Sequence, residues 1–127
     1  MIYFTLEEIC ASNLAKKLDI DNTPSQEVIE NLNLLVDNIL DPAREKLKEP
    51  IYVNSGFRCE ELNKYVGGVK NSGHLYGNAA DIYCKDMNKL WEILTKMEFD
   101  QLIKYKYKGF YHVSYKKSGN RNQILYL

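Results

Sequence analysis

Histidine occurs at two positions in this chain of 127 residues, and both lie where a fold could turn them toward one point: Ser72-Gly73-His74 and Phe110-Tyr111-His112-Val113-Ser114. Asp81 follows His74 by seven residues, across Gly77 and into a β-prone run, so a loop can fold back and bring imidazole and carboxylate around one ion. Two nitrogens and one oxygen suit Zn²⁺. Three protein ligands leave a fourth tetrahedral position for water, whose pKa zinc lowers toward ~7. Spacing alone does not separate this reading from one in which all three are ordinary loop and strand residues.

Arg58 offers a different chemistry. A planar guanidinium can hold a peptide carboxylate or a polarised carbonyl through paired hydrogen bonds, or it can form a surface salt bridge with Glu60 or Glu61. Ser72, beside His74, can support the ligand loop or the substrate, and Tyr76 and Tyr111 can line a substrate groove or pack in the core or on the surface. Gly67, Gly68, Gly73 and Gly77 crowd the stretch between Arg58 and Asp81, where backbone shape matters more than packing.

The elements that must carry these side chains follow from periodicity and turn chemistry. Thr5-Leu6-Glu7-Glu8 fits a capping box and predicts a first helix running to about Leu18. Asp21 to Pro24 reads as a turn. Ser25 then caps a long second helix whose Val28, Leu32, Leu35, Val36, Ile39, Leu40 and Leu47 form one apolar stripe. Pro42 either bends that run or breaks it. Ile51 to Asn54 reads as a strand, Cys59 to Tyr65 as a short helix, Ala79 to Tyr83 as a second strand and Met87 to Glu98 as a third long helix. Asn63 caps the short helix or bonds the loop after it. Gln101 to Ile103, Phe110 to Tyr115 and Gln123 to Leu127 are further strands, joined by turns at Lys108-Gly109 and Ser118-Gly119-Asn120.

The expected fold is therefore one α+β domain over residues 1–127, a helical N-terminal half packed on a small antiparallel sheet. A hydrophobic content of 45% is enough for one core. The 17 basic and 17 acidic residues cancel, so no global field draws the protein to nucleic acid or an anionic membrane. No apolar run approaches the ~20 residues of a membrane span. The N-terminus lacks the pattern of a secretory signal, so the chain is expected to be cytoplasmic when made. Cys10, Cys59 and Cys84 are an odd set without C-x-x-C spacing and are expected to be reduced thiols.

Taken in order, Ser55-Gly56-Phe57-Arg58, Leu62-Asn63, Val66-Gly67-Gly68, Ser72 to Asp81 and Phe110-Tyr111-His112-Val113-Ser114 closely resemble the zinc D-Ala-D-Ala carboxypeptidase family, the M15 peptidases. Its motifs are S-G-[FY]-R, L-N with V-G-G, S-x-H-x-x-G-x-A-x-D and [WF]-x-H-[VI]-S. The helical first half and Phe99-Asp100-Gln101-Leu102-Ile103 look most like its small phage-type members. The resemblance implies a D-Ala-D-Ala peptidase or hedgehog-like fold. It also implies Zn²⁺ held by His74, Asp81 and His112, with Arg58 at the substrate.

By the same resemblance, the expected activity is hydrolysis of amide bonds in bacterial peptidoglycan stem peptides, as a carboxypeptidase or endopeptidase of endolysin type. The chain departs from the family at one place. A general base is needed to deprotonate water and return a proton to the leaving amine, and in well-studied branches it lies three residues before the last histidine ligand, where this chain has Gly109. Asp86, Glu98 and Asp100 are the nearest other carboxylates. The run Lys104 to Lys108 replaces the acidic residue that phage-type relatives often carry. It reads as a solvated hairpin or as a basic, aromatic surface for wall glycan or a partner protein. A wall-binding or virion structural module on the same fold is the alternative expectation, with virion proteins as partners.

Overall fold

A computed structural model describes all residues from Met1 to Leu127. The first helix expected from Thr5 to Leu18 is two helices, α1 (Leu6–Cys10) and α2 (Asn13–Lys17). The Thr5 hydroxyl accepts from the Glu8 amide at 3.1 Å, as a capping residue should. The chain then breaks because Ala11 is extended and the Ser12 hydroxyl accepts from the Ala15 amide, starting a second helix.

Ser25 caps the long helix as expected, accepting from the Val28 amide. It runs as α3 (Gln26–Leu35), a π-helical turn over Val36–Leu40, and α4 (Asp41–Leu47). The Asp41 amide reaches back five residues to the Val36 carbonyl, one residue further than an α-helix allows. Pro42 thus neither ends the helix nor sharply breaks it. The ladder widens just upstream, where a proline ring would otherwise meet the carbonyl four residues before it. Lys48, left-handed at φ 63°, ends the helix.

Five strands follow: β1 (Tyr52–Ser55), β2 (Ala79–Tyr83), β3 (Gln101–Lys104), β4 (Tyr111–Ser114) and β5 (Gln123–Tyr126). Between them lie α5 (Glu60–Tyr65), a 3₁₀ turn (Gly73–Tyr76) and α6 (Met87–Thr95). The sheet order is β1-β2-β4-β3-β5. Three of its four pairings are antiparallel, but β5 runs parallel to β3, which corrects the wholly antiparallel sheet expected from sequence. The connection after β4 passes over β3 and returns on its far side. It is held there by Asp100, whose carboxylate accepts two charge-assisted bonds of 2.9 Å from Arg121.

One face of the sheet packs on helices. The α3–α4 stripe buries Leu32, Leu35, Val36, Ile39, Leu40 and Leu47 against Ala80, Ile82, Leu102 and Val113, together with Leu90 and Leu94 of α6. This apolar burial is the main stabilising term. The opposite face is left for the functional site. No helix is long and apolar enough to cross a membrane, and all three cysteines are free thiols.

Candidate active site

Strand pairing decides which side chains reach the open face. Asp81 pairs directly with His112, and Ile103 also pairs with His112, so these three share one face of the sheet. β1 would present Val53 and Ser55 to the same side, since strand side chains alternate. A register shift between them places Val53 opposite Ile82, on the core side, and Ser55 opposite Asp81. The irregularity at Asn54 re-aims the strand so that Ser55 and the chain leading to Arg58 enter the site.

His74 arrives from the 3₁₀ turn instead of a strand. Ser72 caps that turn, its hydroxyl accepting from the His74 amide at 3.2 Å. Gly77 ends it in the left-handed region at φ 76°. The His74 carbonyl accepts from the Arg58 amide, and the His74 Nδ1 donates to the Gly56 carbonyl at 2.7 Å. That bond fixes the tautomer and leaves Nε2 as a lone pair turned toward the site. Nε2 lies 3.4 Å from Asp81 Oδ1, which in turn lies 2.9 Å from His112 Nδ1.

One donor atom from each of His74, Asp81 and His112 therefore lies within 4.8 Å of the others. His74 and Asp81 are only 2% and 7% exposed. Burial pushes the Asp81 carboxyl up. The adjacent His112 and His74 side chains outweigh it and hold the group well below the usual carboxylate range. An anionic oxygen and two imidazole nitrogens at the floor of a cleft form a donor set that fits a borderline divalent cation such as zinc, with coordination positions left open.

The cleft above is about 890 Å³ and is lined in part by Arg58, Ser72, Tyr105, Lys108 and Phe110. Arg58 makes no salt bridge with Glu60 or Glu61. Its terminal nitrogens make long bonds of 3.4 and 3.5 Å to the hydroxyls of Ser55 and Ser72, and its buried Nε has no partner. Burial lowers the Arg58 pKa, opposed first by the Asp81 charge. Its donors are weakly engaged and available to a ligand.

The other sequence candidates fall elsewhere. Gly109 lies in the exposed β3–β4 turn, and a Cβ built there meets nothing within 4 Å. Asp100 is committed to Arg121, Asp86 caps α6, and neither these nor Glu98 line the cleft. Tyr111 packs on Trp91 and donates to the Met87 carbonyl, on the helix side of the sheet. Tyr76 is exposed and outside the cleft. Asn63 bonds the loop after α5, its amide donating to the Val69 carbonyl.

The Lys104–Lys108 run divides between two environments. Lys104 lies over the Trp91 ring, whereas Tyr105 and Lys108 form part of the cleft wall. That wall was missed in the sequence, although continuing the alternation from Ile103 to Tyr105 would have found it. Also missed was Asn22, whose side chain donates to the carbonyls of Cys10 and Phe57 and accepts from the Cys59 amide. It ties the N-terminal helices to the segment bearing Arg58.

A family model described as Peptidase M15 matches residues 2–114. Over 34 residues the chain is 56% identical to the zinc D-Ala-D-Ala carboxypeptidase of Streptomyces albus G, a stretch that covers 27% of this chain and 13% of that protein.

Proposed function

The chain belongs to the peptidase M15 family, and from that premise we propose that it is a zinc metallopeptidase that hydrolyses amide bonds in peptidoglycan stem peptides, as a D-Ala-type carboxypeptidase or endopeptidase with an endolysin-like role. The observation that carries the reading is the convergence of His74 Nε2, Asp81 Oδ1 and His112 Nδ1 at the floor of a cleft whose wall holds an under-bonded Arg58. The name of the Streptomyces relative supports the substrate class.

His74, Asp81 and His112 would hold the ion, which when bound supplies Lewis-acid activation of water and of the scissile carbonyl. The chain's own residues do the rest. Gly56 and Ser72 orient His74. Arg58, held beside His74 by its own backbone bond, binds and orients a peptide carbonyl or carboxylate. The buried floor limits the access of bulk water and strengthens each of these electrostatic contacts.

A second reading, a wall-binding or virion module that holds stem peptide without turning it over, is favoured by one observation. No side-chain carboxylate other than those of Asp81 and Glu8 lines the cleft, and Gly109 supplies no side chain. The two readings separate when zinc-loaded protein and His74→Ala are incubated with peptidoglycan and the products are identified by mass spectrometry. Stem-peptide fragments made by the wild type and absent with His74→Ala establish the peptidase. Stoichiometric zinc without products favours the module, and absence of zinc binding defeats the peptidase.

A further inference from the structure

We propose that the Tyr105 hydroxyl is a catalytic hydrogen-bond donor that, opposite Arg58, binds the carbonyl oxygen of the scissile amide as negative charge builds on it. The proposal rests on the peptidase reading and deepens it. Tyr105 follows Ile103 by two residues, and Ile103 pairs directly with His112. Phe110 precedes His112 by two residues, so Tyr105 and Phe110 continue the same cross-strand row on the metal-ligand face. Their rings meet edge to face with centroids 5.4 Å apart. The Lys108 ammonium sits 4.5 Å from the Tyr105 ring centroid and 5.8 Å from that of Phe110.

This packing locks the ring on the cleft wall with two soft torsions already restrained, which is what a preorganised donor requires. Tyr105 lines the same cleft as Asp81, a candidate metal ligand, and Arg58, the group proposed to hold the carbonyl. Burial, and after it the Asp81 charge, push the phenol up, with Arg58 opposing. It therefore keeps its proton at neutral pH and acts as a donor. No proton is transferred from Tyr105: it donates a hydrogen bond that strengthens as the carbonyl oxygen gains charge and weakens again when the product carboxylate leaves. That strengthening is what lowers a barrier.

The test is Tyr105→Phe, which keeps the ring, the Phe110 contact and the Lys108 contact and removes one oxygen. Tyr107→Phe, at a side chain 89% exposed and outside the cleft, is the control. In the zinc-loaded protein, Tyr105→Phe is expected to lower kcat about 100-fold with KM little changed, the cost of one lost donor to a developing oxyanion. A phosphinate analogue of D-Ala-D-Ala, titrated by calorimetry, is expected to lose affinity in parallel, while zinc stoichiometry and melting midpoint match the wild type. Wild-type cleavage with unchanged kcat and unchanged phosphinate affinity in Tyr105→Phe would overturn the proposal and leave the peptidase standing. A wild type that binds zinc but cuts no stem peptide would remove the peptidase reading itself, and this role with it.

Discussion

His112 Nδ1 lies 2.9 Å from Asp81 Oδ1 because the two residues are direct partners across β4 and β2. Two of the three candidate ligands are thus set by backbone pairing, and a slip of one residue in either strand would send that strand's ligand to the helix side. Asp81→Ala and His112→Ala are expected to lose stoichiometric zinc, measured by elemental analysis after gel filtration. Both should retain a cooperative melt, because the strands remain paired without the ion. A chelated wild type should likewise unfold cooperatively; an unfolded chelated protein would mean that the metal builds the domain.

Arg58 contributes through donors that the fold leaves under-bonded. Arg58→Ala is expected to lower kcat/KM on a stem-peptide substrate by about 10²–10³-fold while zinc content is unchanged. Arg58→Lys should recover little of this, since a single ammonium cannot reproduce the paired geometry. Full activity in Arg58→Lys would show that only charge matters there.

Acid stability should depend on Asp100. Hydrogen bonds from Arg121 hold its carboxyl below the usual range against the opposing effect of burial, with Lys116 3.6 Å away adding to the lowering. A folded pKa below the unfolded value of about 4 means that the unfolded chain takes up the proton first. The contribution is therefore complete above about pH 4 and is lost as pH falls through the folded value. Urea midpoints measured from about pH 7 to pH 3 should fall in the wild type. They should start lower and fall less steeply in Asp100→Asn, whereas parallel curves would rule out this pair as the cause.

Gly77 joins the turn bearing His74 to β2. It has a φ of 76°, and an added Cβ would lie 2.6 Å from the Val28 carbonyl oxygen of α3. Gly77→Ala is expected to destabilise the protein by about 1–3 kcal/mol, the usual cost of a strained left-handed residue, and to weaken zinc binding. Thermal melts and zinc titration check this together. A stable variant with weakened zinc binding would confine the effect to the turn.

Local chemistry alone determined a good part of this protein. The Ser25 cap, the apolar stripe from Leu32 to Leu47 and the strand Ala79–Tyr83 are written in neighbouring residues, because capping bonds and one-face burial act over a few positions. The candidate ligands were also legible, as the scarce histidines and the motif around Ser72 to Asp81 mark them. Tertiary structure decided the rest. The irregularity at Asn54 that turns Ser55 to the site, the parallel pairing of β5 with β3 and the Asn22 clamp all join residues far apart in sequence. The break at Ser12 and the widened turn before Pro42 have local causes, a second capping hydroxyl and a proline ring, but the periodicity of the surrounding apolar residues does not reveal them. Alternation from Ile103 puts Tyr105 on that residue's face, but that this face also carries Asp81 and His112 depends on which strand pairs with which, and pairing is chosen by burial over the whole sheet.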